Sequence, residues 1–547
     1  MISVTRHIAK AVSLPMFKAA LVAAKQWLTA ENIAFAALCA TATLTVDHNM
    51  TDPYITAKGC YAIFALFAFV MVVCAKVIYG KPVKFDYWQL SAIFVAVCLT
   101  EAVAAMWRQG IHVGIGGIAG DFDNPAGFAA CTSCGFAIAA HRTLTSTKRK
   151  TRMWLWSAVS AALLLATALS ACRSGIMSCG VVAAALCITK ARRHRALVTL
   201  VLTTTAIALI IALYNLKPDS ANGRLLIWSA TLDMIAQKPL FGWGAGAFKA
   251  HYMDFQAAWL MRHPGSKAAM LADNVPVAYN ECLNLLACHG LVGLAIFAAV
   301  AMWLVTNCLH KPSCCKKSAL LVLLAIAVMS MSSYPLTYAT SWTAIGLSFI
   351  PFVKPRRFKP GIVTIAASSL AAIGVVTTGA YIHALHRWNR LSLSAPTQRV
   401  LRGYDSLTPW LGDNPYFLYN YAVMLLDANN TDKALLVAEN CDKMWDDYDL
   451  ELLLADIHTA QHNHYAAIAH YSKAERMCPS RFVPPYELMN AYTSIGNTAM
   501  AQRYARIIVT KPIKITTPAT HQIIAKAHAL LNTKVTDRQT IADNSKY

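Results

Sequence analysis

Charge is what this chain has least of: Asp, Glu, Lys and Arg make up 14% of its 547 residues, against 56% apolar side chains. That balance excludes an ordinary soluble protein folded around one core and places most of the chain in lipid. Acids are scarcest, 27 against 49 Lys and Arg, for a formal net charge of +22. In a soluble protein such an excess would point to nucleic acid. In a membrane protein it reports orientation first, so no nucleic-acid partner is expected. No spacing among the 16 cysteines points to zinc or redox work. Most fall in apolar stretches, where Cys behaves as a small hydrophobe. Only Cys441 and Cys478 lie in the polar tail, and they are the one disulfide candidate. The N-terminus carries Arg6, Lys10, Lys18 and Lys25 but no convincing cleavage site, so the first apolar run reads as a retained helix.

What is present is a series of apolar segments near 29–46, 59–79, 88–106, 122–141, 153–171, 174–190, 196–214, 283–308, 319–335, 340–353 and 361–382. They predict an all-α, polytopic membrane protein of about eleven transmembrane helices. Alternate connections carry the basic residues: Lys81 with Lys84, then 141–152, 190–195, 310–317 and 353–360. The positive-inside rule puts these and the N-terminal segment 1–28 in the cytoplasm. The long, weakly hydrophobic loop 215–282 then faces outward, as does everything after the transmembrane domain 29–382.

Past a linker at 383–415 the pattern turns helical and amphipathic. Ala434, Ala467 and Ala501 recur at spacings of 33 and 34 residues, the tetratricopeptide period, with Pro479, Gly496 and Pro512 at closing positions. Residues 416–514 therefore predict a stack of three helix-turn-helix units that serves as a docking or spacer module. Residues 515–547 read as a last helix and a frayed tail.

Residues able to carry chemistry gather in the outward connections. Arg173, in "ALSACRSGI", sits between two apolar helices with almost no loop and needs a partner or a polar cavity, unless it snorkels to the interface. Arg224, in "NGRLLIW", begins an amphipathic helix with Asn222 as its expected cap; a surface ion pair is its plainer role. Two outward guanidiniums beside glycines and helix N-termini suit a pyrophosphate. Asn124 opens another helix after Asp121 and Asp123. The "DFD" there faces outward, so pairing with Arg173 or Arg224 is expected rather than metal binding. The long loop adds Trp228, Lys238 and the glycines of "GWGAG". Moving a sugar from a lipid pyrophosphate to a hydroxyl needs a group that takes the acceptor's proton. His251, His263, Tyr279 and Glu281 are available for it, and Asn280 stands beside them where the chain re-enters an apolar helix.

Over roughly 85–350 these pieces resemble the O-antigen ligase family of bacterial inner-membrane proteins. The resemblance rests on "FDNPAGFAA", "SACRSG", "GRLLIWSATLDMIAQKPLFGWGAGAF" and "YNECLNLLACHGLVGLAIF". It implies a GT-C-type transferase that uses an undecaprenyl-pyrophosphate-linked glycan, with no metal or other cofactor. The acceptor it implies is lipid A-core or a protein hydroxyl, and the C-terminal repeats lie in the periplasm. Arg173 and Arg224 match the arginines assigned to the donor pyrophosphate. Tyr279 stands where the family carries a histidine, which leaves Tyr279, Glu281 or a loop histidine as base, or an acceptor that needs little deprotonation. Asn280, Asn124, Lys238, Trp228, His251 and His263 are expected on substrate. Competing expectations are an O-antigen polymerase, or a non-catalytic scaffold that recruits a partner through 416–514. A transporter is disfavoured, since no inverted repeat is visible and Glu101 is nearly alone among acids within the apolar segments.

Overall fold

The computed structural model describes residues 28–110, 117–146, 150–190, 218–353 and 361–544, together with 196, 199 and 204. The expected span at 196–214 lies almost wholly outside these residues, as do the basic segments 1–27, 191–195 and 354–360. The described chain is helical throughout, without strands. It forms two compact units, Met1–Ala206 with Ala299–His386, and Ile207–Ala298 with Arg387–Tyr547.

Six described helices are long and apolar enough to cross a membrane: Ile55–Ile78, Tyr87–Gln109, Lys150–Leu169, Arg173–Lys190, Glu281–His310 and Ile362–Ser392. The protein is therefore a multi-pass membrane protein. Four further expected segments form the helices Ala30–Leu44, Pro125–Thr145, Cys314–Ser330 and Ala339–Phe349, which fall short of that measure. Pro125–Thr145 is the hub of the first unit, buried without a break from Gly127 to His141. Its Gly, Ala, Cys, Ser and Thr residues let neighbouring backbones close in. A Cβ on Gly175 of Arg173–Lys190 would come within 2.6 Å of Ala129. The hydroxyls are spent locally: Thr132 and Thr167 share a hydrogen bond of 2.8 Å, and Ser178 donates to the Ala325 carbonyl at 2.9 Å. Cys131 and Cys134 keep free thiols inside this core. Glu101 is fully buried and accepts from the Asp121 amide at 2.7 Å, while Lys58 Nζ donates to the carbonyls of Thr45 and Asp121. These two intramembrane ionisable groups thus pin the turn before Pro125.

In the second unit the long connection contributes Pro218–Gln237, Ala247–Arg262 and Lys267–Leu271. Gln398–Leu411 precedes three helical hairpins, Pro415–Asp427 with Thr431–Asp442, Tyr448–Ala460 with His464–Met477, and Val483–Ser494 with Thr498–Thr510; Pro518–Asn544 follows. Each hairpin turns through a left-handed residue, Asn429, His462 or Gly496. The next amide then donates back into the first helix, Asn430 to Leu425, Asn463 to His458 and Asn497 to Tyr492, all at 2.9 Å. This is a Schellman closure repeated at the sequence period. Ala434, Ala467 and Ala501 lie buried in the three second helices, where only a small side chain lets the helices close. The Cys441–Cys478 disulfide is not formed. Both thiols are free and buried, and Cys441 donates to the Pro415 carbonyl.

Candidate active site

The described helix Pro218–Gln237 already includes Asn222, which therefore lies inside it rather than capping it. Arg224 and Trp228 are one turn apart and share a face. Trp228 Nε1 donates to the Ala278 carbonyl at 3.2 Å, and the Arg224 guanidinium lies 5.6 Å from the centre of the Tyr279 ring. Tyr279 has φ +51°, a left-handed conformation that bulky side chains rarely adopt. That turn delivers Asn280, whose Oδ1 accepts from the amides of Cys282 at 3.0 Å and Leu283 at 3.1 Å. Asn280 thereby caps Glu281–His310 and sets Glu281 in its first turn, where the helix field favours an anion. Burial pushes the Tyr279 phenol up, against the opposing effect of Arg224. It stays protonated at neutral pH, so it can donate a hydrogen bond but is a poor base.

The Gly-Trp-Gly stretch serves backbone packing. The Trp243 and Gly244 amides donate to the Ala287 and Cys288 carbonyls at 2.9 Å, and those of Leu291 and Val292 donate to Pro239 and Leu240. Glu281–His310 opens at Gly290 (φ +61°) to accept the segment. A Cβ on Gly242 would lie 2.5 Å from the Cys288 backbone, and one on Gly290 would lie 2.3 Å from the Leu240 oxygen. Lys238 and His251 collect around Trp243, at 3.8 Å from its ring centre for the ammonium and 4.9 Å between ring centres for the imidazole. His263 stacks on Trp259 at 4.1 Å, with Nδ1 2.9 Å from the Trp259 carbonyl. The described contacts thus unite Arg224, Trp228, Tyr279 and Asn280, and distribute the loop histidines over other aromatics.

The same loop is fastened to the second hairpin by residues that the sequence alone does not single out. Gln256 is fully buried: its Oε1 accepts from Tyr252 Oη at 2.9 Å, and its Nε2 donates to the carbonyls of Asp273 at 3.0 Å and Met477 at 2.9 Å. The Asp446 amide donates to the Lys249 carbonyl, and Asp446 Oδ2 accepts from the Asp254 amide at 2.6 Å. Asn274 donates to Asp447 at 2.8 Å, and Arg481 pairs with Asp273. Asp442, Asp446 and Glu451 bring carboxylate oxygens within 4.8 Å of one another, a spacing a metal could use. Lys473 fills the charge requirement there, 2.7 Å from Glu451 and 3.2 Å from both Asp446 and Asp254.

In the first unit, Arg173 is the first residue of its helix, after Ala171 in a left-handed turn (φ +52°). That turn is fixed from outside: the Ile118 amide donates to the Leu169 carbonyl at 3.1 Å, and Gly117 lies so close that a Cβ would meet the Ser170 oxygen at 2.0 Å. Asn124 caps Pro125–Thr145 through Oδ1, 2.8 Å from the Ala126 amide, while its Nδ2 donates to Tyr334 Oη at 2.7 Å and to Asp123. Asp121 takes Arg108 as its partner at 2.7 Å, an arginine outside the pair expected from the sequence.

Residues 158–298 match the family model described as O-Antigen ligase, and the chain carries that domain. Arg173, Arg224, Tyr279, Asn280 and Glu281 all fall within the match. No curated protein matches. Among solved structures the crystal structure of yeast Tom70 aligns at 12% identity and a TM-score of 0.24, with 86% of this chain and 96% of that chain covered. An O-antigen ligase domain in a multi-pass membrane protein supports a membrane glycosyltransferase-type function.

Proposed function

We propose, from the O-antigen ligase domain over residues 158–298, that this protein is an inner-membrane enzyme. It transfers a glycan from undecaprenyl pyrophosphate to a hydroxyl of a periplasmic acceptor, lipid A-core or protein. The observation that carries the reading is the meeting of Arg224 with Tyr279 at the capped start of Glu281–His310. A guanidinium beside a helix N-terminus suits the departing pyrophosphate, whose charge grows as the glycosidic bond breaks. Tyr279 orients that phosphate or the acceptor through its hydroxyl. Glu281 takes the acceptor's proton. Arg173, at the start of its own helix, carries by resemblance a phosphate-binding role. The basic connections, by the positive-inside rule, support a placement of the loop and the repeats outside the cytoplasm.

The test is transfer from a lipid-pyrophosphate glycan by purified protein in nanodiscs. Arg224→Ala and Glu281→Gln should each lose about a hundredfold or more in rate, the usual weight of a charge-stabilising or proton-transfer group. Tyr279→Phe, which keeps the ring under the guanidinium, should lose less than about tenfold. Full activity in well-folded Arg224→Ala would refute the assignment. Product analysis separates ligase from polymerase: loss of a ligase leaves complete chains on the carrier, and loss of a polymerase leaves single repeat units.

A further inference from the structure

Between Pro218–Gln237 and Ala247–Arg262 lies a cleft of about 670 Å³ that the roles above leave unused. One part of its lining is aromatic. Trp243 is fixed by donation of its Nε1 to the Met234 carbonyl at 2.9 Å, with His251 tilted against it and Phe255 edge-on at 5.7 Å. The rest is polar: Asp233 and Arg262, already paired with each other, and the exposed amide of Gln237.

The charges decide what such a cleft can take. Asp233 is matched by Arg262, Lys473 reaches Asp254 at 3.2 Å, and Lys238 is held over the Trp243 ring at 3.8 Å, so among the described residues the cations in and beside the lining are already engaged. Burial and then Lys238 push the His251 imidazole down, which leaves it neutral with one donor and one acceptor. An acyl chain would bury these polar groups without partners, at a cost of about 1–3 kcal/mol each. A neutral ligand with both a C–H face and many hydroxyls satisfies the whole lining. The positive edge of its C–H bonds meets the negative faces of the aromatic rings, and its hydroxyls meet the fixed carboxylate, guanidinium, imidazole and amide. We propose that this cleft is a saccharide-binding subsite, in which Trp243 and Phe255 stack an uncharged pyranose ring while Gln237, Asp233 and Arg262 bind its hydroxyls. The proposal rests on the glycan-transfer reading, which supplies the saccharide.

The probes are methyl glycosides of glucose, galactose, mannose, rhamnose and N-acetylglucosamine, mixed with the full-length protein in nanodiscs. Saturation-transfer NMR should show at least one of them receiving magnetisation at its ring C–H positions. The signal should fall several-fold in Trp243→Ala and survive in Trp243→Phe. Because Trp243 also braces the end of Pro218–Gln237 through the Met234 carbonyl, the exposed Gln237→Ala provides the fold-neutral variant, and it too should weaken the signal. If no glycoside shows transfer, or if Trp243→Ala and Gln237→Ala both leave it unchanged, the subsite is refuted. Glycan transfer measured on the same samples separates the two ideas. Transfer with no Trp243-dependent binding overturns the subsite alone, and wild-type protein inactive on every acceptor overturns the enzymatic reading.

Discussion

Gly242 and Gly290 meet across a backbone contact that no side chain can enter, whereas Gly244, two residues on, faces open space. The three therefore separate packing from conformation. Gly242→Ala adds both a forced contact at 2.5 Å and a left-handed φ of +70°, for a combined cost of about 3–5 kcal/mol. Gly244→Ala meets only the backbone penalty of about 1–2 kcal/mol. The fraction of monodisperse protein after extraction, with its Tm, checks this: Gly242→Ala should be largely lost and Gly244→Ala recovered with a modest shift. Equal recovery would contradict the packing role. The sequence marks these glycines as special but not what they are for, because the partner backbone at Cys288–Gly290 lies far along the chain. Asn124 was readable as a cap because a cap acts within three residues, whereas Asn280, expected on substrate, turns its Oδ1 to the amides of Cys282 and Leu283. The pairing of Arg224 with Tyr279 depends on a turn that local pattern does not reveal.

Among the elements, the repeats were the most readable, since their period places small residues and left-handed turns at matching positions. What the period hides is the use of the second hairpin, because Asp446 and Lys473 look in one dimension like ordinary surface charges. Both join the hairpin to Ala247–Arg262. Burial, only partly opposed by Lys473, pushes the Asp446 carboxyl up to about 7, and burial against the Asn274 bond pushes Asp447 to about 6. A carboxyl whose folded pKa exceeds its unfolded one favours the folded contact most when protonated. The contact therefore weakens as pH rises from the ordinary aspartate value to about 7, and holds at its lower level above that. Lys473 is shifted upward as well, so its contribution persists across the whole window. Protection of the 249–257 amides in hydrogen exchange, corrected for intrinsic rates, should drop on the order of tenfold or more between pH 5 and pH 8. Asp446→Asn keeps an acceptor for the Asp254 amide without the titration and should flatten the profile. An unchanged slope in that variant would remove Asp446 as the origin.

At the scale of the whole molecule, composition announced a membrane protein, because it is an average over many residues, and the alternating basic connections supply the orientation proposed for it. The number of spans was less accessible. A helix such as Pro125–Thr145, buried all round and made of small residues, does not carry the hydropathy of a lipid-facing one. The grouping of the long loop with the repeats was not visible at all, since Gln256, Asp273 and Asn274 find Met477, Arg481 and Asp447 some two hundred residues away. That grouping gives the repeats an internal duty before any external partner is considered: they hold the loop that carries Arg224 and the aromatic cleft. Ending the chain after Ser392 leaves every candidate span intact, so the shortened protein should still insert in the membrane. Its loop would lose Met477, Arg481, Asp446 and Asp447 together. Limited proteolysis of membrane vesicles should then cut within 247–274 at least tenfold faster than in the full-length protein, in keeping with the few kcal/mol of buried hydrogen bonds removed. In the proposed orientation, cleavage should require access from the periplasmic face. Protection equal to that of the full chain would mean that the loop is held by other contacts and that the repeats are free to serve a partner alone.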